Sequence, residues 1–347
     1  MNKNKLFDFA IGNPPYQDDN QGDGNKTFAA PVYNVFMDGT YTVADKVELI
    51  TPARFLFRAG STPKDWDEKM LNDPHLKVLS YEVNASKVFP NTDIKGGVAV
   101  TYRDSTQFFG PIGVFTAYPE LKSIMHKATP KAGEQSLSDI IYTQTRFNLT
   151  ALYAKHPEYR NILGSNGNDR RFRNNIFDKV ALFSTTRATS TDIAVYGVIK
   201  NKRVWRYIPR DYVDMNHENI NKWKVLVPRA NGSGALGEVL STPLIGEPLI
   251  GYTQTFIGVG SFDTESEAQA VFKYLKTKFA RCMLGILKIT QDNDREVWRC
   301  VPLQKFDSTS DIDWSQSIKN IDQQLYRKYG LSDDEIEFIE THVKEMN

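Results

Sequence analysis

Short apolar runs separated by longer stretches with apolar residues at helical spacing organise the first third of the chain. Residues 6–13, LFDFAIGN, read as a buried strand that ends in a turn, and residues 30–43, APVYNVFMDGTYTV, read as a helix. KVELITPARFLF (46–57) is a strand leading to a proline and a loop, while KVLSYEVN (77–84) and GGVAVTYRD (96–104) are further strands. Strands that alternate with helices imply parallel-type pairing and an α/β sheet. Pro130 and Gly133 punctuate the end of this region and place a boundary near residue 130.

The second half has another texture. KVALFSTT (179–186), DIAVYGVI (192–199), RVWRYIP (203–209) and WKVLVPR (223–229) are short β-type runs broken by Gly, Asn and Pro, which predicts a β-rich second domain. Residues 264–283 have helical spacing and open on Thr264 with Glu267 three residues on, a capping box. A terminal pair of helices follows over 311–347, separated by Gly330 and restarted by the cap Ser332. The expected layout is 1–130, 131–310 and 311–347.

Composition narrows the class without deciding the partner. A chain of 347 residues, 40% hydrophobic and 24% charged, is long enough for two domains with a sizeable core each. There is no run of about 18 apolar residues to span a membrane, and the N-terminal residues lack the apolar core of a secretory signal. The expected location is the cytoplasm. Cys282 and Cys300 read as two packing thiols, and neither they nor the five scattered histidines have metal-ligand spacing, so no metal is expected. Forty-three basic residues against 42 acidic ones leave a net charge of +1, so a nucleic-acid footprint has to come from local clusters.

The chemistry concentrates in Asn13-Pro14-Pro15-Tyr16, directly after the first strand. The carboxyl end of a strand is where α/β sheets place ligands. Pro15 has no N–H and both prolines fix φ near −65°, so the turn is stiff and the Pro14 carbonyl stays free to accept a hydrogen bond. The Asn13 side chain adds a second acceptor, and Tyr16 adds a flat face. Two acceptors converging on one point suit the two hydrogens of an exocyclic amine, and an aromatic face suits the ring that carries it. This is the logic of enzymes that extrude a base from the duplex and read it in a pocket.

NPPY after an apolar strand resembles the catalytic motif of amino-methyltransferases that act on adenine in DNA. SKVFPNTDIKGGVAVTYRD (86–104) is similar to the segment of those enzymes in which a Phe stacks on the far side of the flipped base, a role that falls on Phe89. VELITPARFLF resembles the strand between these motifs, and residues 295–340 resemble the end of the target-recognition region of type IIG restriction-modification methylases. The resemblance implies an α/β protein. It consists of the C-terminal half of a Rossmann-like methyltransferase sheet, then a mixed, β-rich target-recognition domain with terminal helices. It also implies double-stranded DNA as partner and S-adenosylmethionine as methyl donor. No nuclease site is assigned, because Asp45 and Glu48 lack a downstream Glu-x-Lys on a neighbouring strand.

The donor pocket of this fold needs a Gly-rich turn, and in the order the resemblance implies that turn precedes NPPY, where this sequence has twelve residues. Phe256-Ile257-Gly258-Val259-Gly260 fits F-x-G-x-G, so Phe256, Gly258 and Gly260 are weak donor-site candidates; the other reading is a tight turn into the 264–283 helix. Two functional expectations stand side by side: a site-specific adenine methyltransferase portion, or a truncated or split-enzyme fragment that binds DNA without transferring methyl groups on its own. In the second case another polypeptide supplies the donor-binding half.

Duplex binding needs cations against phosphates and a few side chains at base edges. Candidates are Arg170, Arg171 and Arg173 with Asn174 and Asn175, then Lys202, Arg203 and Arg206, and then Arg229 with Asn231. Lys276, Lys278 and Arg281 are expected to be ordinary solvent-exposed helix positions.

Overall fold

The computed structural model describes residues 5–17, 30–92 and 94–346. The chain divides into two compact units, 1–122 and 123–347.

In the first unit the expected elements form, β1 (Phe7–Gly12), α1 (Tyr33–Val43), β2 (Ala44–Pro52), β3 (Leu76–Glu82) and β4 (Val98–Asp104), and the structure adds a helix between β2 and β3, α2 (Lys64–Leu71). The sheet order is β1-β2-β4-β3. β1 and β2 pair in parallel, with Phe9 opposite Lys46 and Ile11 opposite Glu48. β4 is antiparallel to both of its neighbours, with Val100 opposite Ile50 on one side and Ser80 on the other. β1, β2 and β3 therefore share a direction, and β4 runs back between the last two. Parallel-type pairing holds across the α1 crossover only. β3 and β4 are joined by a loop rather than a long helix, and a reversing loop makes an antiparallel neighbour.

One face of this sheet is packed. Tyr33, Met37 and Tyr41, four residues apart on α1, join Trp66, Met70 and Leu71 around α2 against Val47, Leu49 and Ala99. Burying each large apolar side chain contributes roughly 1.5–3 kcal/mol. The other face is open at β1, where Phe7, Phe9 and Ile11 are 58%, 48% and 74% exposed.

The second unit holds two sheets, β10-β6-β7 and β5-β11-β8-β9. Their strands are β5 (Ile141–Tyr142), β6 (Ile193–Ile199), β7 (Lys202–Ile208), β8 (Trp223–Pro228), β9 (Leu244–Gly246), β10 (Ile250–Tyr252) and β11 (Phe256–Phe262). The β6–β7 hairpin turns at Lys200 and Asn201, both at positive φ, the conformation that two-residue hairpin loops require. Residues 179–186, expected as a strand, are not one. Val180 and Phe183 drop into a core with Phe147 and Phe172, and Ser184 alone makes a bridge, to Tyr207. A buried apolar run carries no period that separates strand from packed loop.

Residues 264–283 form two helices, α3 (Glu265–Lys276) and α4 (Lys278–Gly285), instead of one. The predicted capping box at Thr264 and Glu267 is present. Thr277 leaves helical geometry at ψ 147° and caps the second helix by accepting from the Ala280 N–H. Asp322 on α5 (Ile318–Lys328) accepts from the Lys278 and Phe279 N–H groups at 3.0 and 2.9 Å, which satisfies the other donors freed by the break. α6 (Asp333–His342) starts at Ser332 with Glu335 closing a second capping box. Both terminal helices belong to the second unit.

Candidate nucleic-acid and base-binding sites

The Asn13–Tyr16 turn leaves the carboxyl end of β1, on the edge of the sheet beside β2. The Asn13 side chain and the Pro14 carbonyl make no hydrogen bond to a described residue, so both acceptors stay open. The chain is tied down directly afterwards: the Tyr16 carbonyl accepts from the Val32 N–H at 3.2 Å, and Gln17 bridges Pro31.

Phe89 reaches the same place from the opposite edge of the sheet, after β3. It follows a single 3-10 turn, Ala85–Lys87, capped by the Asn84 side chain, and its own N–H donates to the Ala85 carbonyl at 2.8 Å. Its loop is fastened to the end of β2 by Arg54, whose Nε donates to the Lys95 carbonyl at 2.6 Å, and by the Ala53 N–H bonded to the Gly97 carbonyl at 3.0 Å. Gly97 sits at φ +76°, where a Cβ would lie 2.3 Å from the Glu82 carbonyl oxygen, so only glycine fits.

The rings of Tyr16 and Phe89 meet at 6.2 Å between centroids, 71° apart in plane. A flat ring sandwiched between them needs two van der Waals gaps, roughly 7–8 Å in all. The observed edge-on pair is a closed arrangement that must open and rotate to admit a base. The Tyr16 hydroxyl is buried without a hydrogen-bond partner among the described residues, and burial pushes its pKa up to about 12. Beside the motif, Ile11, Gly12, Glu48, Ile50 and Val100 line a hollow of about 370 Å³ on the open face of the sheet.

S-adenosylmethionine brings a carboxylate, an ammonium and a ribose diol, and the segment with the Gly-rich pattern does not fit it. Phe256, Gly258 and Gly260 lie inside β11: Phe256 pairs with β8, Gly258 with β8 and β5, and Gly260 occupies a bulge before Phe262, so the segment runs on as a strand. A Cβ on Gly258 would lie 2.3 Å from the Tyr252 hydroxyl, and one on Gly260 would lie 1.9 Å from the Phe262 ring. The room beside both glycines is filled by the protein's own aromatics, which corrects the donor-site candidate. The tight-turn alternative fails for the same reason, since the strand runs on to Phe262.

The basic clusters are more restrained than their sequence suggests. Arg170 pairs with Asp214 at 2.6 Å, while Arg171 and Arg173 grip Asp169 at 2.8 and 2.6 Å. Burial alone would raise the Asp169 carboxyl, but the two guanidiniums hold it down to about 2. On β7, Lys202 and Arg203 are exposed; Arg203 donates to the Thr242 carbonyl at 2.9 Å, and Arg206 lies over the Phe177 ring. Arg229 meets Asp292 at 3.3 Å. Asn174 and Asn175 are exposed, but Asn231 is buried, donating to the Val239 carbonyl and accepting from Ser241, so it is a structural residue. Arg281, expected in solvent, is 2% exposed and donates to the carbonyls of Gly237, Glu238 and Lys344. Arg170, Arg171 and Arg229 line one cleft of about 410 Å³. Arg146 lines it too, a residue with no basic neighbour in the sequence to draw attention to it.

Residues 1–89 match the model of the Eco57I restriction-modification methylase family. No curated protein matches the chain. Among solved structures it is similar to the type IIG restriction endonuclease BpuSI, at 9% identity and a TM-score of 0.31, over 85% of this chain and 44% of that one. It is also similar to the type IIL restriction-modification enzyme MmeI in complex with DNA, at 9% identity and a TM-score of 0.39, over 96% of this chain and 56% of that one. The chain thus spans about half the length of the structures it matches.

Proposed function

We propose that this chain is the base-holding and target-recognition portion of a site-specific DNA adenine methyltransferase of the restriction-modification kind. The observation that carries the reading is the meeting of Tyr16 and Phe89 at 6.2 Å, beside two open acceptors at the end of a parallel strand pair. The match of residues 1–89 to a restriction-modification methylase family supports it.

In this reading the sheet order β1-β2-β4-β3, with β4 reversed, is the C-terminal half of a Rossmann-like methyltransferase sheet. A flipped adenine lies between Tyr16 and Phe89. The Asn13 carboxamide oxygen and the Pro14 carbonyl each accept one hydrogen of its exocyclic amine. Holding both hydrogens to one side favours a pyramidal nitrogen whose lone pair faces the incoming methyl group. Pro15 contributes stiffness, which keeps the acceptors in place before the base arrives. S-adenosylmethionine supplies the methyl group, and it is held by a further polypeptide segment, since the one Gly-rich candidate, Phe256–Gly260, does not fit it. The free side of β1 supports that partition: its only strand partner among the described residues is β2, and its apolar side chains are exposed, as expected of an edge that another strand covers.

The test is methyl incorporation from labelled S-adenosylmethionine into duplex adenine, by the chain alone and with the polypeptide encoded immediately upstream. Incorporation that disappears in Asn13→Ala is expected, and none under either condition overturns the methyltransferase reading. The second reading, a DNA-binding fragment without transfer activity, rests on the misfit of the donor. It expects no heat on titration with S-adenosylmethionine alongside salt-dependent duplex binding.

A further inference from the structure

The cleft around Arg146 is built from four separate stretches of the second unit, and its backbone is held firmly. Arg146 bridges Arg171, the Phe172 N–H donates to the Thr145 carbonyl at 2.9 Å, and the Gln254 N–H donates to the Phe172 carbonyl at 2.8 Å. The Arg229 N–H donates to the Thr255 carbonyl at 2.9 Å, which brings the end of β8 to the same wall. Four guanidiniums line the cleft, those of Arg146, Arg170, Arg171 and Arg229. The one acid on its wall, Asp169, is already taken by Arg171 and Arg173.

Two features mark this cleft as a ligand site rather than a satisfied ion-pair network. The Arg146 side chain is exposed and makes no ion pair or hydrogen bond with a described residue, unlike the guanidiniums beside it. Gln144 lines the cleft and its carboxamide makes no hydrogen bond to a described residue, so its N–H groups are free to donate to a ligand there. The wall offers N–H donors and positive charge, and none of its lining residues is aromatic, so nothing there stacks on a base. A phosphodiester, which only accepts, complements that wall better than a base edge does.

We propose that this cleft holds the DNA backbone, with Arg146 as its principal phosphate ligand and Gln144 as a neutral donor beside it. The proposal rests on the DNA-binding reading above and adds the residues that carry it. Duplex affinity is measured by fluorescence anisotropy against salt for the wild-type chain, Arg146→Ala, Gln144→Glu and, as control, Lys319→Ala on the exposed face of α5. Gln144→Glu keeps the side-chain shape and puts a carboxylate where a phosphate would sit. Arg146→Ala is expected to weaken all duplexes alike, about ten-fold, and to lower the slope of log affinity against log salt by about 0.9. Gln144→Glu is expected to weaken binding at least as much, with Lys319→Ala close to wild type.

A wild-type chain that binds no duplex overturns the DNA-binding reading itself. Wild-type binding with an unchanged affinity and slope in Arg146→Ala overturns the cleft assignment alone. That variant decides the matter even if Gln144→Glu fails to fold, because Arg146 is exposed. Calorimetry with inorganic tripolyphosphate separates the sources of the anion: tripolyphosphate binding lost in Arg146→Ala while duplex affinity stays at the wild-type value makes the cleft a site for free polyphosphates and overturns the proposal.

Discussion

Tyr16→Phe isolates the most unusual feature of the base site. The substitution keeps the ring that meets Phe89 and removes a buried hydroxyl that has no partner among the described residues. An unsatisfied buried polar group costs about 1–3 kcal/mol, so the Phe variant should be more stable than wild type by about 1–2 kcal/mol near neutral pH. If the 122-residue first unit unfolds on its own, its unfolding entropy is about 0.26 kcal/mol/K, and each kcal/mol raises Tm by about 4 °C. Titration adds a second signature. The Tyr16 pKa rises from 10.0 to about 12 in the folded state, so between pH 10 and 12 the unfolded chain has released a proton that the folded one keeps. Wild type therefore loses stability as pH rises through that window, by at most about 1.4 kcal/mol per unit. The Phe variant lacks this loss, so the gap between the two widens above pH 10. Urea unfolding at pH 7.5 and pH 11 measures both effects. A Phe variant that is less stable than wild type at pH 7.5, or a gap that does not grow at pH 11, refutes the reasoning. In the proposed reaction the retained ring should keep methyl transfer within a few-fold, whereas Tyr16→Ala should abolish it.

Gly97→Ala forces a Cβ to within 2.3 Å of the Glu82 carbonyl at φ +76°, so it should cost the first unit roughly 2–3 kcal/mol and displace the Phe89 loop, read as a lower urea midpoint. Lys224, fully buried, donates to the carbonyls of Asn219, Lys222 and Glu247 at 2.7, 2.9 and 3.2 Å, and Lys224→Met should cost about 1–3 kcal/mol. Burial lowers the Lys224 pKa from 10.5 to about 7, so wild-type stability should gain a rising contribution from pH 7 to 10 that the Met variant lacks. Arg281→Ala strips the carbonyls of Gly237, Glu238 and Lys344 of a shared donor; a loss of roughly 2–4 kcal/mol by chemical denaturation is expected, against a near-zero change if the side chain lies in solvent.

Local physics wrote much of this protein into its sequence. The strands of the first unit and the caps at Thr264 and Ser332 depend on side-chain period and on hydrogen bonds a few residues away. The Asn13–Tyr16 turn owes its stiffness to two adjacent prolines, which also act locally. Other features depend on partners far along the chain. The place of β4 between β2 and β3, the break at Thr277 relieved by Asp322, and the burial of Arg281 among three distant carbonyls leave no local trace. Phe256-Ile-Gly-Val-Gly shows the limit most plainly: the pattern is right for a ligand turn, but Tyr252 and Phe262 occupy the space beside its glycines. Arg146 shows the converse, a lone cation in sequence that joins three other arginines because a β-bridge to Arg171 and the end of β8 meet there. Sequence determined which groups this protein carries and how each segment prefers to fold. The tertiary structure decided which of them remain free to meet a ligand, because solvent access and hydrogen-bond satisfaction are set by what packs against a residue rather than by what precedes it.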